Sequence, residues 1–97
     1  MRLSSNEISS IRKTVKSNDK DALIYLFGSR VDNEQRGGDI DLLIFSQKLQ
    51  QEDKFKIKKA LWEQIGEQKI DLVIVKDELD PFTRIILKEA VLIWEMI

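Results

Sequence analysis

Phe27-Gly28-Ser29-Arg30-Val31-Asp32-Asn33-Glu34-Gln35-Arg36-Gly37-Gly38-Asp39-Ile40-Asp41 decides how this 97-residue chain is read. The stretch begins where one apolar run, Ala22 to Phe27, ends, and it closes where another, Asp39 to Phe45, begins. A glycine after a strand lets the backbone turn and lets an anion approach without a β-carbon in the way, and amides at a following helix start point at that anion. Ser29 adds a hydroxyl donor. Asp39 and Asp41 stand at i and i+2 of a strand, so both side chains share a face, roughly 6.6 Å apart along it, with Ile40 turned away. A Gly-Ser turn alone is ordinary punctuation between elements. Its place ahead of two same-face aspartates gives it meaning as a phosphate cradle beside metal ligands.

A third carboxylate extends the pattern, because Asp71 heads the apolar run Ile70 to Val75. If its strand neighbours that of Asp39 and Asp41, at about 4.8 Å, its carboxylate reaches the same point. Three acids would then surround a pocket suited to oxygen-loving cations. Without cations the acids repel and at least one holds its proton more tightly; bound Mg²⁺ reverses that logic. The chain contains no histidine and no cysteine, which removes Ser-His-Asp and Cys-His mechanisms, thiolate or histidine-ligated metal sites and disulfides together. Carboxylates remain as the candidate ligands and bases. Arg30 and Arg36 are placed to neutralise a triphosphate, Arg30 ahead of Arg36. Sixteen basic against seventeen acidic residues argue against a nucleic-acid binder held by a strong basic field. Lys54, Lys56, Lys58 and Lys59 are accordingly read as a solvated helix face.

Outward from that stretch, Ser4 with Glu7 three residues on, flanked by Leu3 and Ile8, is a capping box with its hydrophobic staple. The helix it starts carries Ile8, Ile11 and Val15 on one stripe and stops at Ser17-Asn18-Asp19. Ala22 to Phe27 reads as a strand buried on both faces. Ser29 to about Asn33 reads as a short helix, and Glu34 to Gly38 as a polar loop. Gln50 to about Gly66 is the longest helical segment, with Ile57, Leu61 and Ile65 toward the sheet and Phe55 and Trp62 at its margin. Asp80-Pro81 starts a further helix whose buried side is expected to be Phe82, Ile85, Ile86 and Ala90. Val91 to Trp94 closes the sheet as a last strand. The order α-β-α-β-α-β-α-β, with no internal repeat or linker, makes residues 1–97 one small α/β (α+β) domain. No unbroken apolar run exceeds six residues, and Ala90 to Trp94, like Ala22 to Phe27, falls far short of the roughly 20 residues of a membrane span; the start does not resemble a signal peptide. A soluble, cytoplasmic protein is expected.

Gly28-Ser29, a nine-residue spacer, Asp39-Ile40-Asp41 between apolar strands, and Asp71 opening the strand after the next helix together resemble the nucleotidyltransferase superfamily of the DNA polymerase beta fold. More narrowly the chain is similar to the minimal nucleotidyltransferase (MNT, MntA-like) antitoxins. The likeness runs over nearly the whole length, from the leading helix to Lys88-Glu89-Ala90-Val91-Leu92-Ile93-Trp94-Glu95, although the family usually has ten residues in the spacer. The resemblance implies a mixed β-sheet with helices mainly on one face, two Mg²⁺ ions and ATP as donor. Asp39 and Asp41 would hold both metals, and Asp71 would hold the catalytic one and help deprotonate the acceptor. Gly28 and Ser29 would bind the β- and γ-phosphates. Such proteins are encoded with HEPN-domain toxins and resemble enzymes that transfer AMP to a toxin tyrosine, so the expected partner is a HEPN toxin in a hetero-oligomer. A domain of 97 residues supplies the catalytic half, and Phe55, Trp62 or Trp94 to Ile97 are the apolar groups expected to meet the partner. Two alternatives stand beside this one: an antitoxin that acts by occupancy alone, and transfer to a small molecule or nucleic-acid end.

Overall fold

A computed structural model describes residues 1–34 and 38–94. The capping box forms: Ser4 Oγ accepts the Glu7 N–H at 3.0 Å and Glu7 Oε1 accepts the Ser4 N–H at 2.9 Å. From it runs α1, Ser5–Asn18, burying Ile11 and Val15. β1 is Leu23–Phe27, followed at once by a single 3-10 turn, Gly28–Val31. β2 is Ile40–Phe45, α2 Asp53–Ile65, β3 Ile70–Val75, α3 Pro81–Leu87 and β4 Val91–Trp94. The Asp80 carboxylate accepts the Phe82 N–H and Pro81 occupies the first turn of α3, as the sequence predicts.

The strands form one mixed sheet in the order β3-β2-β1-β4. β2 and β3 are parallel, and the crossover that parallel strands require is supplied by α2. β1 runs antiparallel to both β2 and β4. One face of the sheet presents Ile24, Leu26, Ile40, Leu42, Ile44 and Leu72, and these pack with Ile11 and Val15 of α1 and Ile57 and Leu61 of α2 into the main core. The two helices are tied by Gln64 Nε2, which donates to Thr14 Oγ1 at 2.8 Å. At the far end of α1 the buried Asp19 carboxylate accepts hydrogen bonds from Ser46 Oγ and the Asp21 amide, joining the helix end to the end of β2.

Three expectations need correction. β1 is not buried on both faces: Ile24 and Leu26 enter the core while Leu23, Tyr25 and Phe27 stay half-exposed, because α1 and α2 cover one face only. The segment from Gln50 becomes α-helix only at Asp53, whose carboxylate accepts the Gln50 N–H at 2.8 Å. On α3 the expectation holds for Ile86 but not for Phe82 and Ile85. Thr83 and Ile86 are buried, whereas Phe82 and Ile85 are 55% and 63% exposed. Phe55 and Trp62 do lie at the margin of α2, edge to face with centroids 6.3 Å apart. Trp62 packs partly against the core and Phe55 stays exposed. No described helix is long and apolar enough to cross a membrane.

Ile57→Ala, which hollows the α2–sheet contact, should cost about 2–5 kcal/mol in urea unfolding, whereas Ile85→Ala should stay within about 0.5 kcal/mol. Equal losses would contradict the observed orientation of α3.

Candidate active site

Because β2 and β3 are parallel and β1 opposes them, the starts of β2 and β3 and the end of β1 meet at one edge of the sheet. There Asp41 stands opposite Asp71 on β3 and opposite Phe27 on β1. Gly28 follows Phe27 directly, with φ of 76°, a conformation that side-chain-bearing residues rarely adopt. A β-carbon there would overlap Asp41 Oδ2, so the glycine both makes the turn and leaves room for the acid. Gly38 plays the matching part on the other side of the loop: its φ is 91°, and a β-carbon would overlap Ser29 Oγ. The Gly-Ser turn and the first residues of β2 are thus fitted to each other without spare space.

The carboxylates are unequal. Asp41 is held up to about 6, by burial first, then by the charge of Asp71 and a hydrogen bond shared with it, then by Asp39, with Lys69 opposing. Asp41 therefore carries a proton below about pH 6 in the absence of a cation, and loses it above. Asp39 has turned to Lys69, whose Nζ lies 3.4 Å from Asp39 Oδ2. The three acids nearby, Asp39 foremost, hold the proton of the Lys69 ammonium more tightly than usual. The structure therefore brings Asp41 and Asp71 together and leaves Asp39 beside them on a lysine; among the described residues no three acids stand at metal-holding spacing. In chemistry the donor set still fits a hard divalent ion: all oxygen, with no histidine or cysteine.

Arg30 is bound into the protein rather than held toward the acids. Its Nε donates to Gly38 O at 3.1 Å, its guanidinium to Arg2 O at 2.9 Å and to Gln68 Oε1 at 3.4 Å, and Glu7 Oε1 lies 3.7 Å away. Arg2 returns the contact from its own backbone, Arg2 N–H to Arg30 O at 2.7 Å, and its side chain donates to Ser29 O at 2.9 Å. Arg36 and the segment 95–97 lie outside the described residues. Lys69, Gln68, Gly38 and Arg2 were not singled out by sequence reasoning. Gly38 carried a usable signal, a glycine immediately before a strand-opening acid. A cleft of about 430 Å³ lies at the opposite end of the sheet, by Asp19, Ser46 and Lys48. Its most buried acid, Asp19, is already satisfied by the end of β2 and the Asp21 amide.

The family model for polymerase beta nucleotidyltransferases matches residues 9–96. Among solved structures, a mutant of the toxin–antitoxin MntA-HpeT is similar with a TM-score of 0.73 at 20% identity, covering 91% of this chain and 72% of that one. A tri-AMPylated Shewanella oneidensis HEPN toxin in complex with MNT antitoxin is similar with a TM-score of 0.69 at 21% identity, covering 92% and 70%. At these identities the likeness establishes a shared fold. No curated protein matches the chain.

The raised Asp41 has a defined consequence for stability. Its proton is bound more tightly in the folded state, so the associated stabilisation is present below the unfolded value of 3.8 and is lost as pH rises through about 6. In metal-free urea unfolding, Asp41→Asn should therefore gain on the wild type between about pH 4 and about pH 8. A stability difference that stays constant over that range would contradict the raised Asp41.

Proposed function

We propose that this chain, which belongs to the polymerase beta nucleotidyltransferase family, transfers AMP from ATP to a hydroxyl of a HEPN-type toxin, a tyrosine first of all, and acts as that toxin's antitoxin. The observation that carries the reading is the registered pair Asp41 and Asp71 at the sheet edge where the Gly28-Ser29 turn opens. Support for the acceptor comes from the two proteins of like fold, each solved with its toxin, one toxin being tri-AMPylated.

In this reading Gly28 and Ser29 receive the β- and γ-phosphates, the bare Cα giving close approach and the hydroxyl a donor. Asp39, Asp41 and Asp71 would hold Mg²⁺ once Asp39 leaves Lys69. Bound Mg²⁺ supplies charge neutralisation at the attacking and leaving oxygens. Asp71 accepts the proton of the toxin hydroxyl, whose oxygen attacks the α-phosphorus while the bond to the β-phosphate oxygen breaks and pyrophosphate departs. Lys69, freed from Asp39, is then an exposed cation at the mouth of the site. Phe55, exposed on α2 beside Trp62, is proposed as one of the apolar groups that meet the toxin. The site for such a reaction is the cytoplasm, where ATP and the toxin meet.

Incubation with labelled ATP, Mg²⁺ and the HEPN-domain product of an adjacent gene tests the reading. The wild type should label the toxin and Asp41→Asn should do so at least about 100-fold more slowly. Equal labelling by both proteins would remove Asp41 from the mechanism, and tight binding without any label would leave inhibition by occupancy.

A further inference from the structure

Arg30 follows the Gly-Ser turn and carries a full charge, which makes it a natural phosphate ligand in sequence. Its surroundings assign it other work. Its side chain is 16% exposed, and its N–H groups are committed to three acceptors: Gly38 O, Arg2 O and Gln68 Oε1, with Glu7 as the ion-pair partner. A guanidinium has five N–H donors in a rigid fork; these contacts take three of them, one on each nitrogen, and fix its plane within the protein.

The contacts also form a continuous strut. Trp62 Nε1 donates to Gln68 O at 2.7 Å, Gln68 Oε1 accepts from Arg30, and Arg30 donates to Gly38 O. Gly38 in turn packs against Ser29 and is followed by Asp39. The helix that packs the sheet is thereby linked, through one arginine, to the loop that carries both the turn and the acids. Arg2 locks the other side by taking Arg30 O and Ser29 O as acceptors.

We infer that Arg30, held by Gln68, Arg2 and Glu7, is a positioning residue for the nucleotidyl-transfer site, setting Ser29 and the Gly38–Asp41 segment against each other, and is not a triphosphate ligand. The inference rests on the function proposed above. It separates two effects that direct phosphate binding would not. Loss of the strut should misplace reacting groups and lower kcat, while the affinity for ATP, held by the turn itself, should change little. Cutting the strut at Gln68, which carries no charge, should act like altering Arg30 itself.

The test compares Gln68→Leu, Arg30→Lys and the double variant by steady-state transfer with ATP, Mg²⁺ and the toxin, after thermal unfolding confirms that each is folded. Both single variants should lose about 10-fold in kcat with the KM for ATP within about 2-fold, and the double variant should be no worse than the poorer single one. The inference is overturned if Gln68→Leu is silent while an Arg30 substitution raises the KM for ATP, or if Arg30→Lys keeps full kcat. Should the wild type transfer no label, the proposed function fails separately. Amide exchange over Gly38 to Asp41 and binding of a fluorescent ATP analogue then decide the strut. Faster exchange in Gln68→Leu with unchanged affinity supports it; unchanged exchange, or weaker binding in Arg30→Lys alone, overturns it.

Discussion

Everything at the candidate site depends on one register: β2 and β3 run parallel with Asp41 opposite Asp71. Parallel pairing puts the starts of both strands at the same edge, and neighbouring strands stand about 4.8 Å apart, so two carboxylates in register must meet. Like charges at that distance in a half-buried setting are unfavourable, and the cost shows as a tighter hold of Asp41 on its proton, raised to about 6. The repulsion that a cation would relieve is thus built into the sheet by the same hydrophobic pattern, Leu42 and Ile44 beside Leu72 and Ile74, that builds the core.

Around this pair, small residues do as much as charged ones. Gly28 yields the space that Asp41 occupies, and Gly38 yields the space that Ser29 occupies. Each glycine also has a backbone angle that disfavours any side chain there. The arrangement explains how a turn and a strand end can approach closely enough for one ligand to touch both. It also explains why the charges around them are arranged as they are: Lys69 takes up Asp39, and Arg30 ties the loop to the N-terminal residues and to Gln68.

Much of this was legible in the sequence because it rests on local or periodic signals. The Ser4–Glu7 box, the Asp80-Pro81 start, the three apolar strands and the two-residue spacing that fixes the side of Asp41 are of that kind. On α3 the apolar pattern places Ile86 inward correctly but misplaces Phe82 and Ile85, for a physical reason. In a helix of seven residues, the stripes Phe82–Ile85–Ile86 and Thr83–Ile86 differ by one residue's rotation, and only the position of the sheet selects between them. The turning of Asp39 toward Lys69 and the binding of Arg30 by Arg2 and Gln68 depend on contacts up to 38 residues apart, which no local pattern announces. The family resemblance itself is borne out by the family model matching residues 9–96.

The central claim is that Asp41 and Asp71 form a coupled carboxylate pair made to receive a divalent cation. Carbon-13 NMR of the aspartate carboxyl groups, followed through a pH titration with and without Mg²⁺, addresses it most directly. Without Mg²⁺ the Asp41 resonance should titrate at about 6, and saturating Mg²⁺ should move that midpoint well down as the charged form is stabilised. Titration in the ordinary carboxylate range with no response to Mg²⁺ would contradict the account.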